Sequence, residues 1–347
     1  MTVMKFTEAI LDATSIALSK YENSFVIGLG VSYKNGADGT MGDLKEIYPL
    51  RVLDTPVSEA TTTGVTLGTA ITGMRPIIHH GRVEFALFAA DQIITQAAKW
   101  NYMFGGDYCA PVVFRIAVGR QWGNGPQHTQ ALYSLFGNTM GLKVVIPSTP
   151  YMAKALLLAA IEDNNPVVFL EPRWLYQTKC EVPEGYFVES LSESRILREG
   201  GDATVVTYGD GVIATMKAAE ILMTQGVDIE VIDLVSINPI DYSTILKSVT
   251  KTGNLVTVDT TNYSFNVGSE IISKVASKSF TSLQGPPIII STPDVPCPTA
   301  PSMTAAYYPT EITIANEILK SMKLKLVSEN LSFEQLHLPP TDVLNYA

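Results

Sequence analysis

The sequence predicts an α/β protein built as two domains, each a parallel sheet between two layers of helices. Short apolar runs alternate with longer stretches of helical spacing, a pattern typical of parallel sheets covered on both faces. The alternation stops over residues 173–200 and starts again near residue 203. A chain of 347 residues suffices for two domains. We therefore predict a first domain at 1–190, a second at 200–325 and an extended tail at 326–347, which packs on a neighbour or is partly disordered.

The individual elements follow in chain order, beginning with a helix over residues 1–21. The first domain then has predicted strands at 25–31, 75–80, 111–118, 142–147 and 166–172, and helices at 85–104 and 149–164. The strands are continuous runs rich in Val, Ile and Phe, as expected for strands buried on both faces. The second domain has predicted strands at 203–209, 228–237, 254–260 and 287–292, and helices at 212–226, 241–251, 267–280 and 308–322.

Composition excludes several classes of function. The net charge is −10 without a basic cluster, which disfavours nucleic acids and anionic membranes as partners. No run approaches the roughly 18 apolar residues that a membrane span needs, and the N-terminal helix carries acidic residues, unlike a signal peptide. Cys109, Cys180 and Cys297 are too few and too widely spaced for a disulfide framework or a zinc site. We expect a cytoplasmic protein whose partners are proteins or small molecules.

The stretch VLDTPVSEATTTGVTLGTAITGMRP, residues 52–76, raises the first functional question. A strand end is followed by Pro and Ser, then by Glu59 at the start of a helix, which is compatible with ordinary helix capping. The helix then carries Gly64, Gly68 and Ala70 where larger side chains usually fill a core. Such small residues indicate that another molecule comes close to this helix.

Several motifs in order resemble one family. They are DTP-x-SE, G-x3-G-x-A-x2-G-x-RP, DQI-x4-AK, QH, GLKVV-P and DNNPVV-x-LEP. Over about residues 4–322 the chain resembles the beta subunit of thiamine-diphosphate-dependent 2-oxo-acid dehydrogenases, which are related to transketolase. The resemblance implies a thiamine-diphosphate pyrimidine-binding domain followed by a transketolase C-terminal-like domain.

The resemblance also implies roles for three residues. Glu59 matches the family glutamate that hydrogen-bonds the aminopyrimidine ring of thiamine diphosphate and favours its imino tautomer. Phe85 matches the aromatic residue that stacks on that ring; without the resemblance it would be a core aromatic. His128 matches the histidine that assists proton transfer and acyl transfer near the reacting carbon, a role to which the imidazole side chain is suited; otherwise it is a structural loop residue.

The cofactor's other half is expected from a partner. Gly209-Asp210-Gly211 looks like the start of the diphosphate and magnesium motif of thiamine enzymes, but only Asn238 lies where an Asn pair is needed. We reject it as a metal site. An alpha subunit is therefore expected to supply the diphosphate and magnesium ligands in an α2β2 heterotetramer, and a lipoyl acyltransferase core is a further expected partner.

A potassium site is a further implication of the resemblance. The stretch AAIEDNNP matches a structural potassium site of many relatives. Carbonyls and side chains of Ala160, Ile161, Asp163 and Asn165, with Val112 nearby, would hold the ion. The alternative is an ordinary helix end closed by Asn and Pro.

The sequence departs from the family at several positions. Leu29 and Gly30 stand where the family has an acidic pair that helps to carry protons between active sites, so the resemblance does not extend to that coupling. His80 and Arg82 lie before the stacking aromatic, and Arg120 and Trp122 lie in the loop before the histidine. We consider His80, Arg82 and Arg120 as contacts to an anionic group on a substrate more polar than pyruvate. The alternative is that they bind the partner chain or their own backbone.

The predicted function is oxidative decarboxylation of a 2-oxo acid, with transfer of the acyl group to a lipoyl acceptor. A second hypothesis keeps the cofactor but uses a sugar or another polar carbonyl, as in a split transketolase or a carboligating enzyme. A third is a non-catalytic assembly subunit, against which the joint presence of Glu59, Phe85 and His128 speaks.

Overall fold

Strands and helices alternate through most of the chain. The computed structural model describes residues 1–120, 123–328, 331–332, 335–336, 338–342, 344 and 346. The strands are β1 Thr2–Lys5, β2 Ser24–Gly28, β3 Val52–Asp54, β4 Arg75–His80, β5 Val113–Val118, β6 Lys143–Val145, β7 Val167–Pro172, β8 Lys179–Val182, β9 Arg195–Arg198, β10 Ala203–Thr207, β11 Ile229–Asp233, β12 Ser236–Asn238, β13 Leu255–Asn262 and β14 Ile288–Thr292.

The α-helices cover the sheets and connect their strands. They are α1 Phe6–Lys20, α2 Leu44–Ile47, α3 Glu59–Ile71, α4 Val83–Ala86, α5 Ala98–Met103, α6 Gly125–His128, α7 Tyr133–Gly137, α8 Pro150–Glu162, α9 Gly211–Thr224, α10 Tyr242–Thr252, α11 Val267–Ser279, α12 Pro301–Thr304 and α13 Glu311–Ser321. Shorter 3-10 turns lie at Ala37–Gly39, Leu87–Ala89, Arg173–Leu175 and Phe280–Ser282, and a π-helix at Asp91–Ala97. No helix within the described ranges is long and apolar enough to cross a membrane.

Contacts divide the chain into two compact units. The first comprises Met1–Val118, Leu135–Leu191 and Pro340–Ala347; the second comprises Gly119–Ser134 and Ser192–Pro339. The segment Gly119–Ser134 lies inside the range predicted for the first domain, yet its contacts belong to the second unit. The predicted domain ranges themselves remain predictions.

In the first unit six strands lie side by side in the order β6-β7-β5-β4-β2-β3. Neighbouring strands run parallel. Every residue of β2, β5 and β7 is buried, as continuous apolar strands require when helices cover both faces. Helices α1 and α8 pack against each other on this unit.

The first and last parts of the chain meet at the small antiparallel sheet of the first unit. Strand β1 pairs with β8, and the backbone of Lys179 in β8 bonds on to the tail. The Leu344 N–H donates to the Lys179 carbonyl at 2.6 Å, and the Lys179 N–H donates to the Asp342 carbonyl at 3.1 Å. Leu344 is buried, so this part of the tail is held by backbone bonds and one apolar anchor.

The helix predicted over 85–104 is a series of different helical turns. Helix α4 passes into the 3-10 turn Leu87–Ala89, then into the π-helix Asp91–Ala97 and finally into α5. The apolar residues Phe85, Leu87 and Phe88 do not fall on one face of a regular α-helix, where successive residues are about 100° apart. Phe88 accordingly remains 72% exposed. The changes of winding leave an apolar surface facing outward.

The second unit is built on a five-stranded sheet of order β14-β13-β10-β11-β9. All neighbours are parallel except β9, which is antiparallel to β11. Helices α9 and α13 pack together over a core that includes Val205, Val231 and Ile318. The stretch 173–200, predicted to be irregular, contributes β9 to this sheet and β8 to the small sheet of the first unit.

A buried ion pair lies at the centre of the first unit. Arg115 on β5 and Glu171 on β7 have fully buried side chains, and Arg115 Nε donates to Glu171 Oε1 at 2.6 Å. A second guanidinium nitrogen donates to Glu171 Oε2 at 3.1 Å and to Thr40 Oγ1 at 3.0 Å. The Tyr176 hydroxyl donates to Glu171 Oε2 at 2.9 Å. These bonds compensate two charges that are removed from water.

We predict that breaking this pair on one side is costly. Glu171→Leu should lower the free energy of unfolding by about 3–5 kcal/mol, because it leaves the Arg115 guanidinium buried without a counter-charge. The double variant Arg115→Met with Glu171→Leu should recover more than half of that loss. Urea denaturation of the purified chain measures both values.

The matched control is an exposed ion pair of the same unit. Lys34 and Asp43 lie 2.8 Å apart with side chains 70% and 48% exposed. Lys34→Met should therefore change the free energy of unfolding by no more than about 1 kcal/mol. A Glu171→Leu cost as small as that of Lys34→Met would contradict the assigned role of the buried pair.

Candidate functional site

Glu59 is the first residue of helix α3, five positions after β3 ends at Asp54. Ser58 is the N-cap residue, but its hydroxyl donates to Thr61 Oγ1 at 2.9 Å and accepts no backbone N–H. Glu59 is partly buried. Since the N-terminus of a helix favours a negative charge, the α3 backbone stabilises the Glu59 carboxylate.

The small residues of α3 form an open helix face. A Cβ atom added at Gly68 would meet no atom of the described chain within 4 Å, and one added at Gly64 would meet only Gln92 Cγ, at 3.7 Å. On the same helix Val65 is 57% exposed. A larger side chain would fit at both glycines, so the fold does not need glycine there. The geometry leaves room for another molecule against α3.

His80 ends strand β4 and connects it to α3. It is 4% exposed, and its Nε2 atom lies 3.3 Å from the Thr63 hydroxyl of α3. Burial lowers the pKa of His80 to about 4. The imidazole is therefore neutral at neutral pH and fixes the end of β4 against the helix.

Arg82 and Phe85 follow directly. Burial and the neighbouring Arg173 charge lower the pKa of Arg82, while Glu84 and Asp38 act in the opposite direction. Arg82 is half-buried, and Phe85 on α4 keeps 37% of its surface exposed. Glu59, His80, Arg82 and Phe85 thus all belong to the first unit, on α3, β4 and the turn into α4.

His128 lies in the second unit, at the end of the short helix α6. The segment before it contains Gly119, Gly123 and Gly125 with φ angles of 80°, 60° and 73°, left-handed conformations that favour glycine. The Gly119 N–H donates to the Gln130 carbonyl at 3.0 Å and closes the loop. His128 itself is partly buried. Trp122 lies outside the described residues.

Arg120 is engaged by its own unit. Its Nε atom lies 4.0 Å from Asp210 Oδ2, and its guanidinium lies 4.8 Å from the centre of the Tyr308 ring. Asp210, the acidic residue of the rejected GDG motif, also accepts a hydrogen bond from Thr260 at 2.9 Å. The assignment of Arg120 as a substrate contact remains a prediction.

Leu29 and Gly30 follow strand β2. Leu29 is 54% exposed, and Gly30, with φ at 75°, donates its N–H to Asp54 Oδ1 at 2.7 Å. Ser32 donates to the other oxygen of Asp54 at 2.6 Å. This turn is therefore fixed by the carboxylate that ends β3.

The predicted potassium-binding residues surround the end of helix α8. One guanidinium nitrogen of Arg75 donates to the carbonyls of Ile161 at 2.9 Å and Asp163 at 3.1 Å. The Asp163 carboxylate pairs with Lys143 and accepts the Asn165 N–H. Asn165 Oδ1 is buried, and no hydrogen-bond donor within the described chain reaches it. The Val112 carbonyl accepts the Val167 N–H at 3.0 Å.

Sequence reasoning missed the buried polar residues around these positions. Arg115 and Glu171 stand inside the apolar runs VVFRIAV and VVFLEP, and a charge in such a run is a signal of a buried pair. Tyr133 and Tyr208, in the second unit, pack edge to face with ring centres 5.3 Å apart. Nothing in the local sequence indicates that pairing.

Comparison with known proteins identifies the family. Residues 3–179 match the transketolase pyrimidine-binding domain and residues 192–314 the transketolase C-terminal domain. The chain is 41% identical over 320 residues to a pyruvate dehydrogenase E1 component subunit beta of Rhizobium meliloti, covering 92% of this chain and 70% of that protein. The chain belongs to the beta-subunit family of the thiamine-diphosphate-dependent 2-oxo-acid dehydrogenases.

The names of other relatives in this family give a different substrate. A beta subunit of an acetoin:2,6-dichlorophenolindophenol oxidoreductase from Cupriavidus necator is 38% identical, covering 91% of this chain and 96% of that protein. Among solved structures, a split-gene transketolase described as an inactive beta4 tetramer has a TM-score of 0.76 at 20% identity, covering 93% of this chain and 99% of that chain. The predicted family and the α/β transketolase-like fold are confirmed.

Because His80 is buried in its neutral form, we predict that it destabilises the protein in acid. Its pKa is about 4 when folded and 6.5 ordinarily, so below pH 6.5 the unfolded chain takes up a proton that the folded chain does not. Above pH 6.5 His80 therefore costs no stability. As the pH drops from 6.5 towards 4, the free energy of unfolding falls by about 3 kcal/mol in all.

The variant His80→Gln isolates this effect. Urea unfolding of wild type and variant at pH 8 gives the cost of the substitution that does not depend on pH. Between pH 6.5 and pH 4.5 the wild type should lose more stability than the variant. Equal slopes for the two proteins over this interval would mean that His80 is not the group responsible.

Proposed function

We propose that this chain is the beta subunit of an enzyme that decarboxylates a 2-oxo acid and passes the acyl group to a lipoyl acceptor. The observation that carries the proposal is the position of Glu59, at the start of α3 in the unit that matches the pyrimidine-binding domain. Membership of the 2-oxo-acid dehydrogenase beta-subunit family supports the reaction class.

The residues of the first unit suit the aminopyrimidine ring of thiamine diphosphate. Glu59 offers a carboxylate that can hold a proton at a ring nitrogen, and water exclusion strengthens such a bond. Phe85 offers a partly exposed ring face for stacking. The open face at Gly68 gives the space that a bound ring or a partner backbone needs. When bound, the cofactor supplies the electron sink, and these residues hold and orient it.

An alpha subunit completes the enzyme. The first unit has exposed apolar residues on α3, on the loop before it and on the turns after β4: Val57, Val65, Phe85, Leu87 and Phe88. Exposed apolar side chains suit a protein interface. The alpha subunit supplies the diphosphate and magnesium ligands in an α2β2 assembly, which docks on a lipoyl acyltransferase core.

His128 serves as the acid–base group that moves protons at the substrate. The expected cytoplasmic location stays a prediction.

Arg82 is the candidate contact for an anionic group on the substrate. It is half-buried beside α4, and burial together with the like charge of Arg173 lowers its pKa. His80 and Arg120 remain weaker candidates, because His80 is neutral and Arg120 faces Asp210.

A second candidate function is cleavage of an acyloin. It is favoured by the 38% identity to acetoin oxidoreductase beta subunits, which covers 96% of the Cupriavidus necator protein. The same residues would hold the cofactor, and only the substrate would differ. A split transketolase or carboligating activity rests on fold similarity alone, since that neighbour is 20% identical.

Calorimetric titration of thiamine diphosphate with magnesium tests the proposal. We expect no binding to the chain alone and binding to the chain co-purified with its alpha subunit, because this chain offers only the pyrimidine half of the site. In that complex Glu59→Gln should lower the rate of 2-oxo-acid decarboxylation by about 10²–10⁴-fold, the usual size of an acid–base contribution.

Glu46→Gln is the matched control, since it removes an exposed carboxylate on α2 of the same unit. It should change the rate only slightly. Tight binding of the cofactor by this chain alone would overturn the subunit assignment. Turnover of acetoin but of no 2-oxo acid would instead select the second candidate.

A potassium ion at the end of α8 is part of the same proposal. The available donors are oxygens, which suit such a cation. Asn165 Oδ1 is buried with no donor bound to it among the described residues. The carbonyls of Ile161 and Asp163 each accept from Arg75, and a carbonyl oxygen has a second lone pair for an ion. The ion would order the residues 160–165.

Thermal unfolding in salts of different cations tests the potassium site. At equal ionic strength, potassium chloride should raise the melting temperature by a few degrees over choline chloride, because a ligand of the folded state stabilises it. Asn165→Ala should remove that difference. An identical melting temperature of the wild type in both salts, over a wide concentration range, would exclude the ion.

A further inference from the structure

The segment Gly119–Ser134 carries His128 and packs within the second unit. Its first side chain, Arg120, is 20% exposed and lies between the Asp210 carboxylate at 4.0 Å and the Tyr308 ring at 4.8 Å. Asp210 is 6% exposed. The start of the segment is therefore held by an ion pair that is largely removed from water and by a guanidinium stacked on an aromatic ring.

The Asp210 carboxylate depends on this cation. It follows strand β10 and immediately precedes helix α9, and Thr260 donates to its Oδ1 atom at 2.9 Å. Burial raises the pKa of Asp210, and the charge of Arg120 acts against that rise. Loss of Arg120 would leave a buried carboxylate with hydroxyl hydrogen bonding but without a cation.

The far end of the segment is attached to the same turn of the second unit. Tyr133 is fully buried and packs edge to face on Tyr208, which lies two residues before Asp210 in the chain. Between the two ends, the Gly119 N–H bonds to the Gln130 carbonyl at 3.0 Å. A Cβ atom at Gly125 would lie 2.7 Å from Thr299 Oγ1, so the backbone there runs directly against residue 299.

The middle of the segment borders a cavity of about 730 Å³ within the second unit, whose wall includes Gln127, Thr129 and Tyr308. Gln127 and Thr129 flank His128 in the chain. The attachments at Arg120 and Tyr133, with the contact of Gly125 to residue 299, hold the segment beside this cavity.

We propose that Arg120 is a positioning residue, whose ion pair with Asp210 over the Tyr308 ring fixes the segment that carries His128. The consequence for catalysis rests on the proposed function, in which His128 moves protons at the substrate. The positioning itself does not depend on that function. Arg120 thus acts through His128 and not as a contact to the substrate.

Hydrogen exchange of the full-length chain tests the positioning without any activity. We expect the peptides that cover residues 123–132 to exchange at least tenfold faster in Asp210→Asn and in Arg120→Met. Arg120→Lys keeps the charge but loses the planar stacking, so it should restore most of the protection. Asp210→Asn preserves the shape of the side chain, which keeps the test usable even if Arg120→Met folds poorly.

The matched control is another ion pair of the second unit. Arg198 lies 2.6 Å from Asp228, and Asp228→Asn should leave exchange over 123–132 unchanged. The proposal is overturned if Asp210→Asn exchanges like Asp228→Asn or like the wild type in these peptides. It is also overturned if the effects of Arg120→Met and Asp210→Asn on exchange are additive in the double variant, because a direct pair predicts that the second substitution adds little.

Activity of the assembled enzyme separates this proposal from the proposed function. If both hold, Arg120→Met should lower kcat at least tenfold with KM changed less than threefold, and Arg120→Lys should restore most of kcat. A substrate clamp would instead raise KM, and that result would refute the positioning role. If no thiamine-dependent turnover is found at all, the proposed function fails while the exchange result still decides the role of Arg120.

Discussion

The buried ion pair of Arg115 and Glu171 determines which side chains at the centre of the first unit are charged. Arg115 lies opposite His79 on the neighbouring strand β4. Burial, and then the nearby guanidinium, hold the pKa of His79 well below its usual range. A fully buried guanidinium thus has one carboxylate as its partner and a neutral imidazole beside it. Removing the carboxylate alone would leave this guanidinium uncompensated beside the imidazole, which is why the pair has to be kept or replaced as a unit.

Charges are also compensated in the loops at the carboxyl ends of these strands. Arg173, directly after β7, pairs with Asp38, a residue with a φ angle of 57° in the turn Ala37–Gly39. Burial raises the pKa of Asp38, and the charges of Arg173 and Arg82 oppose the rise. In the second unit, burial likewise raises the pKa of Asp210, which follows β10, and the charge of Arg120 opposes that rise. Both units therefore place an arginine and a carboxylate in the loops beyond parallel strands, where α/β folds bind their ligands; Asp210 is buried, whereas Asp38 is exposed.

Strands were predictable where burial on both faces leaves a continuous apolar run. The run RPIIHH at 75–80 was predicted as a strand and is observed as β4 with the same limits. Strand β9, RILR, was missed because it lies at a sheet edge with polar side chains. The family motif led to Glu59 and His128. The packing of Gly119–Ser134 in the second unit was not predictable, because it depends on Asp210 and Tyr208, about 80 residues further along the chain.

The structure distinguishes the two arginines that were considered as contacts to the substrate. The two arginines look equivalent in the sequence, since both flank residues assigned to the cofactor. In the structure the positive charge of Arg120 is offset by a carboxylate 4.0 Å away. Arg82 has Glu84 and Asp38 as electrostatic neighbours, but it also lies near the like charge of Arg173. Two carboxylates and one guanidinium thus act on Arg82, and Arg173 is itself paired with Asp38. The assignment of Arg82 as the contact to an anionic substrate group stays a prediction, and it is the kinetics of the assembled enzyme with anionic and neutral substrates that decides it.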